Sequence, residues 1–114
     1  MKEEVAWDIE RQLWTGGAVA YRKLVDPRCV MAFPTPGGVM PFDLIIASIE
    51  QMPRWLSVEM TDRLVTHPAI DVTVLAYKAV GRRDGEKPYE AFCTSTYCRF
   101  GEDWRLVQHQ QSPA

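Results

Sequence analysis

The chain is poor in the residues that would tie it to a metal, a disulfide framework, a membrane or a nucleic acid. Its three cysteines, Cys29, Cys93 and Cys98, form no CxxC pair and leave an odd thiol in any disulfide scheme. Cys93 and Cys98 are five apart, so on one strand they point to opposite faces and cannot bridge. Reduced, mostly buried thiols of a cytoplasmic protein are therefore expected. There are only two histidines, His67 and His109, with no HxH or HxxxH spacing, so neither a metal nor a cofactor is expected. The longest strongly apolar run, Leu44 to Ile49, is far short of the roughly 20 residues of a spanning helix. Met1-Lys2-Glu3-Glu4 is acidic with no apolar segment behind it, which predicts no secretory signal. Thirteen Lys+Arg against fifteen Asp+Glu give a net charge of −2, without the basic excess that duplex binding calls for.

What remains is ordinary globular composition: 114 residues, 46% hydrophobic and 25% charged, which predicts one domain over residues 1–114. Residues 2 to 14 read as a helix with Val5, Ile9 and Leu13 on one stripe and Trp7 and Trp14 beside it; Gly16-Gly17 ends it. A shorter helix over about 18 to 25, with Val19, Tyr21 and Leu24 inward, stops at Asp26-Pro27. Cys29 to Phe33 is a short β-favouring run closed by Pro34-Thr35-Pro36-Gly37-Gly38, and Val39-Met40 pairs back briefly. Phe42 to Met52 is a third helix between Pro41 and Pro53, with Leu44-Ile45-Ile46 deeply packed.

After Trp55 the texture changes. Leu56 to Thr66, Asp71 to Arg82, Tyr89 to Phe100 and Trp104 to Gln111 are long, β-branched and aromatic. His67-Pro68-Ala69 joins the first two, and Asp84-Gly85-Glu86-Lys87 and Gly101-Glu102-Asp103 make hairpins. Helices followed by an antiparallel meander predict an α+β fold. The strand Asp71 to Arg82 is apolar on both faces (Val72, Val74, Val80 and Leu75, Tyr77, Ala79), so the face that the helices leave bare is expected to form a homodimer.

Several stretches resemble the NTF2-like superfamily, in particular its small DUF4440 and SnoaL-like members. They are Leu13-Trp14, Gly16-Gly17, Ala20-Tyr21-x-x-Leu24, Cys29 to Pro34, Ser95-Thr96-Tyr97 and Trp104 to Pro113. The resemblance implies a cone: three N-terminal helices against a strongly curved antiparallel sheet, with a partly polar mouth and dimers through the outer face. Relatives often carry Gly-Asp where this chain has Gly16-Gly17, so the second helix has a weaker cap. The ketosteroid isomerase branch places a carboxylate at the end of the first strand, where Phe33-Pro34 stands here, so its mechanism does not carry over.

Centring the last hairpin on Glu102 pairs Tyr97 with Val107, Ser95 with His109 and Cys93 with Gln111. That face is too polar for a core and suits the wall of a wet cavity. Its catalytic candidates are His109, Ser95 and Tyr97, with no carboxylate in view to orient the imidazole. His67 reads as an exposed loop residue, and Cys93 has nothing to lower its pKa. The expected pocket consists of Trp14, Phe33, Trp55, Tyr77, Ser95, Tyr97, His109 and Gln111. It suits a small apolar or mixed-polarity ligand. An enzyme on the same scaffold (a hydrolase, dehydratase or isomerase) or an association module, as in the hub of calmodulin-dependent kinase, are the competing readings.

Overall fold

The structure, a computed structural model, describes residues 1–114. Helices α1 (Glu3–Thr15), α2 (Ala18–Leu24) and α3 (Phe42–Gln51) accompany six strands: β1 (Val25–Phe33), β2 (Gly38–Pro41), β3 (Ser57–Ala69), β4 (Val72–Arg82), β5 (Tyr89–Phe100) and β6 (Asp103–Pro113). They form one sheet in the order β2-β1-β6-β5-β4-β3. The four long C-terminal strands are antiparallel neighbours. β1 is longer than the expected Cys29 to Phe33: it begins at Val25, directly after α2, and runs parallel to β6. This is the α+β cone fold. No helix is long and apolar enough to cross a membrane.

Three burial expectations need correction. α1 is rotated from the Val5–Ile9–Leu13 stripe: Val5 is exposed, and Ala6, Trp7, Glu10, Leu13 and Trp14 face inward. The two tryptophans, with the most surface to bury, set the phase. Trp7 meets Tyr77 edge-on at 5.4 Å, and Trp14 Nε1 donates to Tyr77 Oη at 2.9 Å. Ala6, with no side chain beyond Cβ, lets the helix approach the sheet, and Glu10 is carried into the interior. Val19 and Leu44 are likewise exposed, leaving Tyr21 in α2 and Ile45 and Ile46 in α3 as the buried residues. Helices this short bury one stripe, not their whole circumference.

His67 lies in β3 rather than a joining loop, because the strand continues through Pro68 to Ala69. Proline is tolerated there, as β3 is the sheet's edge. His67 is exposed, with Nδ1 3.2 Å from Thr73 Oγ1.

The β5–β6 register holds the decisive local feature. Phe100 pairs with Asp103, so the hairpin turns on two residues, Gly101-Glu102, with Gly101 at φ 64°. That choice alone would place every downstream pair one residue off the expected register. A bulge between the Thr96 and Tyr97 pairs then restores it: Tyr97 faces Leu106 rather than Val107, while Ser95 faces His109 and Cys93 faces Gln111. Leu106 and His109, three apart, are both buried on the concave face as a result. An unbulged strand would send one of them outward.

Candidate functional site

Between the concave face of the sheet, α1, α3 and the β1–β2 turn lies a cavity of about 520 Å3. Its buried floor is Glu10, Leu13, Trp14, Tyr21, Met31, Leu106 and His109. Phe33, Met40, Ile49, Trp55 and Tyr89 form half-buried walls, and Thr35, Pro36, Met52, Arg83 and Pro113 stand at the rim. Trp55 stacks on Tyr89 with ring centres 5.3 Å apart, and Trp14 tilts against both. Gly81 permits this wall: a Cβ there would come within 2.9 Å of the Trp55 ring.

The floor is organised by Glu10, which is 1% exposed. Tyr77 Oη and Ser95 Oγ donate to its Oε2, the latter across 2.6 Å, and Tyr97 Oη donates to Oε1 across 2.5 Å. Trp14 supplies the proton that Tyr77 accepts, so the Tyr77 hydroxyl proton points at the carboxylate. His109 Nδ1 lies 2.7 Å from Ser95 Oγ and 3.5 Å from Glu10 Oε2. Since Ser95 gives its proton to Glu10, the fitting arrangement has His109 donating from Nδ1 to Ser95. Nε2 of the same ring is 2.9 Å from Gln111 Oε1, and Gln111 Nε2 donates to Tyr89 Oη at 3.2 Å. A continuous chain, Glu10–Ser95–His109–Gln111–Tyr89, thus runs from the buried floor to the half-buried wall.

Burial raises the pKa of Glu10, but the facing His109 and the Ser95 and Tyr77 hydroxyls outweigh it and hold the carboxyl below its ordinary value. Burial, reinforced by Glu10's charge, pushes Tyr77 and Tyr97 well above the usual phenol range, so both remain donors. Cys93 and Cys29 are pushed up to about 12 by burial, which leaves unreactive thiols. No cluster of three or more His, Cys, Asp or Glu is placed to hold a metal.

Trp14, Phe33, Trp55, His109 and Gln111 line the cavity. Tyr77, Ser95 and Tyr97 stand one layer behind it, their hydroxyls turned to Glu10. Of the three catalytic candidates, only His109 reaches the cavity, and Ser95, 0% exposed between carboxylate and imidazole, is unavailable as a nucleophile.

Two residues that sequence reasoning passed over are central. Glu10 is the carboxylate thought to be missing, and its only signal was its place on the helix face shared with Ala6, Leu13 and Trp14. Arg54 closes the end of α1: Nε donates to Gly16 O at 2.7 Å, and Nη2 reaches Leu13 O at 2.7 Å, Trp14 O at 2.9 Å and Tyr21 Oη at 3.2 Å. Terminal carbonyls with no partner within the helix are so satisfied by a guanidinium at the negative end of the helix dipole.

Neither a protein-family model nor a curated protein matches the chain. Solved structures do. A proposed ketosteroid isomerase from Parabacteroides distasonis superposes with a TM-score of 0.82 at 19% identity, over 97% of this chain and 86% of that one. An NTF2-like protein from Cytophaga hutchinsonii gives 0.82 at 14% identity over 100% of both chains. The association domain of C. elegans CaMKII gives 0.76 at 15% identity, over 96% of this chain and 90% of that one. The fold is therefore NTF2-like.

Proposed function

Given an NTF2-like fold with a carboxylate-centred floor under aromatic walls, we propose that this protein binds a small organic molecule of mixed polarity in its cavity. One observation carries the reading: the three hydroxyls of Tyr77, Ser95 and Tyr97 are all spent on Glu10, while the His109–Gln111 edge and the Trp14–Trp55–Tyr89 wall line open space. A carboxylate held by three hydroxyl donors is a rigid support, and a cavity of about 520 Å3 lies within the usual range for small-molecule sites. The small DUF4440 and SnoaL-like domains remain the branch whose sequence texture this chain resembles, and a cytoplasmic, reduced setting suits its three unpaired thiols, two of them buried. Native mass spectrometry of the purified protein, with thermal-shift screening of small organic compounds, tests the reading. A co-purified compound or a saturable rise in Tm supports it; no binder up to millimolar concentration contradicts it.

The Glu10–Ser95–His109 chain favours a second reading, acid–base catalysis by His109 on the bound molecule. Conversion of a bound compound by the wild type and its loss in His109→Gln would establish it.

The convex sheet face belongs to the same proposal as a homodimer surface. Val72, Val74 and Val80 are half-buried there and Phe92 is 54% exposed, while Leu75, Tyr77 and Ala79 point to the core. The CaMKII association domain is a relative in fold whose name denotes assembly.

A further inference from the structure

The charges around the cavity are unequal. Glu10 is its only acidic lining residue, against two arginines, Arg54 and Arg83. The Glu10 carboxylate is engaged by three hydroxyl donors, and Arg54 is committed to the end of α1. Arg83 is different. It joins no ion pair, its Nη2 donates to Pro53 O at 2.9 Å, and its Nε is buried without any partner. Its Cζ sits 3.6 Å from the centre of the Trp55 ring, which fixes the guanidinium over the aromatic wall. A buried N–H without an acceptor is costly, and an uncompensated, pre-positioned guanidinium beside an apolar chamber is suited to a planar anion.

We propose that the cavity takes an organic monocarboxylate with a flat apolar body: the carboxylate is held at the rim by Arg83, the body lies against Trp55 and Trp14, and the far end meets His109 and Gln111. This inference rests on the small-molecule reading of the same cavity and adds the ligand's charge and orientation to it. Arg83, by giving the anion its partner, is the residue that sets specificity for acids over their neutral analogues.

Calorimetric titration of the wild-type protein with 2-naphthoate and with the isosteric 2-naphthamide tests it. The acid should bind about tenfold more tightly than the amide, the size of one charge-assisted contact. Arg83→Gln should abolish the preference, so that acid and amide bind the variant with equal affinity. If both compounds bind equally to the wild type, or Arg83→Gln keeps the preference, Arg83 recognition is refuted while the cavity reading stands. If neither compound binds, the monocarboxylate proposal falls, while the cavity reading is decided separately by the compound screen. The wild-type comparison decides the matter even if Arg83→Gln does not fold, and the preference should also shrink as salt is added.

Discussion

Ser95 Oγ donates to Glu10 Oε2 across 2.6 Å, and that bond joins the first helix to the middle of the sheet. It holds two elements 85 residues apart in fixed register and passes the constraint on to His109, whose ring rests on the same serine oxygen. Removing the carboxylate should therefore be felt throughout the floor. Glu10→Gln presents an amide N–H2 to hydroxyls that all donate. The loss expected in urea unfolding at pH 7 is about 1–3 kcal/mol, from buried donors left without acceptors.

The same carboxyl gives the protein a defined acid limit. Its pKa is depressed in the folded state, relative to about 4.3 for an ordinary Glu, so the contribution to stability is complete above that value. It is lost as pH falls through the folded pKa. The facing groups are Tyr77, Tyr97, Ser95 and His109. The stability gap between wild type and Glu10→Gln should be widest at neutral pH and narrow below about pH 4. A gap that is constant with pH in urea melts would show that the carboxyl is not selectively stabilised by the fold.

The elements of the fold were legible from local pattern; the site was legible only in part. Period-2 alternation and turn residues marked the four long strands, and the Ser95–His109 pair followed from the hairpin. Glu10 escaped notice because one of four acids in an amphipathic helix reads as solvated unless its phase is set by its larger neighbours, here Trp7 and Trp14. The Val107 bulge left no trace because Leu106 and Val107 are both apolar and either could face inward. The parallel β1–β6 pairing and the reach of Arg54 to α1 depend on the tertiary path of the chain, which no local pattern carries.

The bulge has a direct test. Deleting Val107 would remove the unpaired residue and leave Leu106 and His109 two apart on a regular strand, with His109 still opposite Ser95 and facing the cavity. Retained ligand binding and a Tm close to that of the wild type are expected; loss of binding would mean that the bulge does more than restore the alternation that aims His109.

Gly81 tests the aromatic wall. In Gly81→Ala the new Cβ would meet Trp55 at 2.9 Å and Trp14 at 3.2 Å, so the rings must move. Destabilisation of about 1–3 kcal/mol is expected, together with a changed tryptophan emission spectrum.

Self-association through the convex face predicts a dimer by sedimentation velocity at micromolar concentration. Val74→Asp, which puts a charge in the middle of that face, should convert it to a monomer that keeps the wild-type circular dichroism spectrum. A wild-type monomer would contradict the proposed interface.

The claim that the chamber over Glu10 and His109 is a ligand site is tested most directly by NMR titration of the isotopically labelled protein with 2-naphthoate. The indole N–H signals of Trp14 and Trp55 and the amide and ring signals of His109 should show the largest, saturable shifts, while Val74 and Phe92 on the convex face stay still. Shifts confined to the convex face, or none at any concentration up to millimolar, would contradict the account.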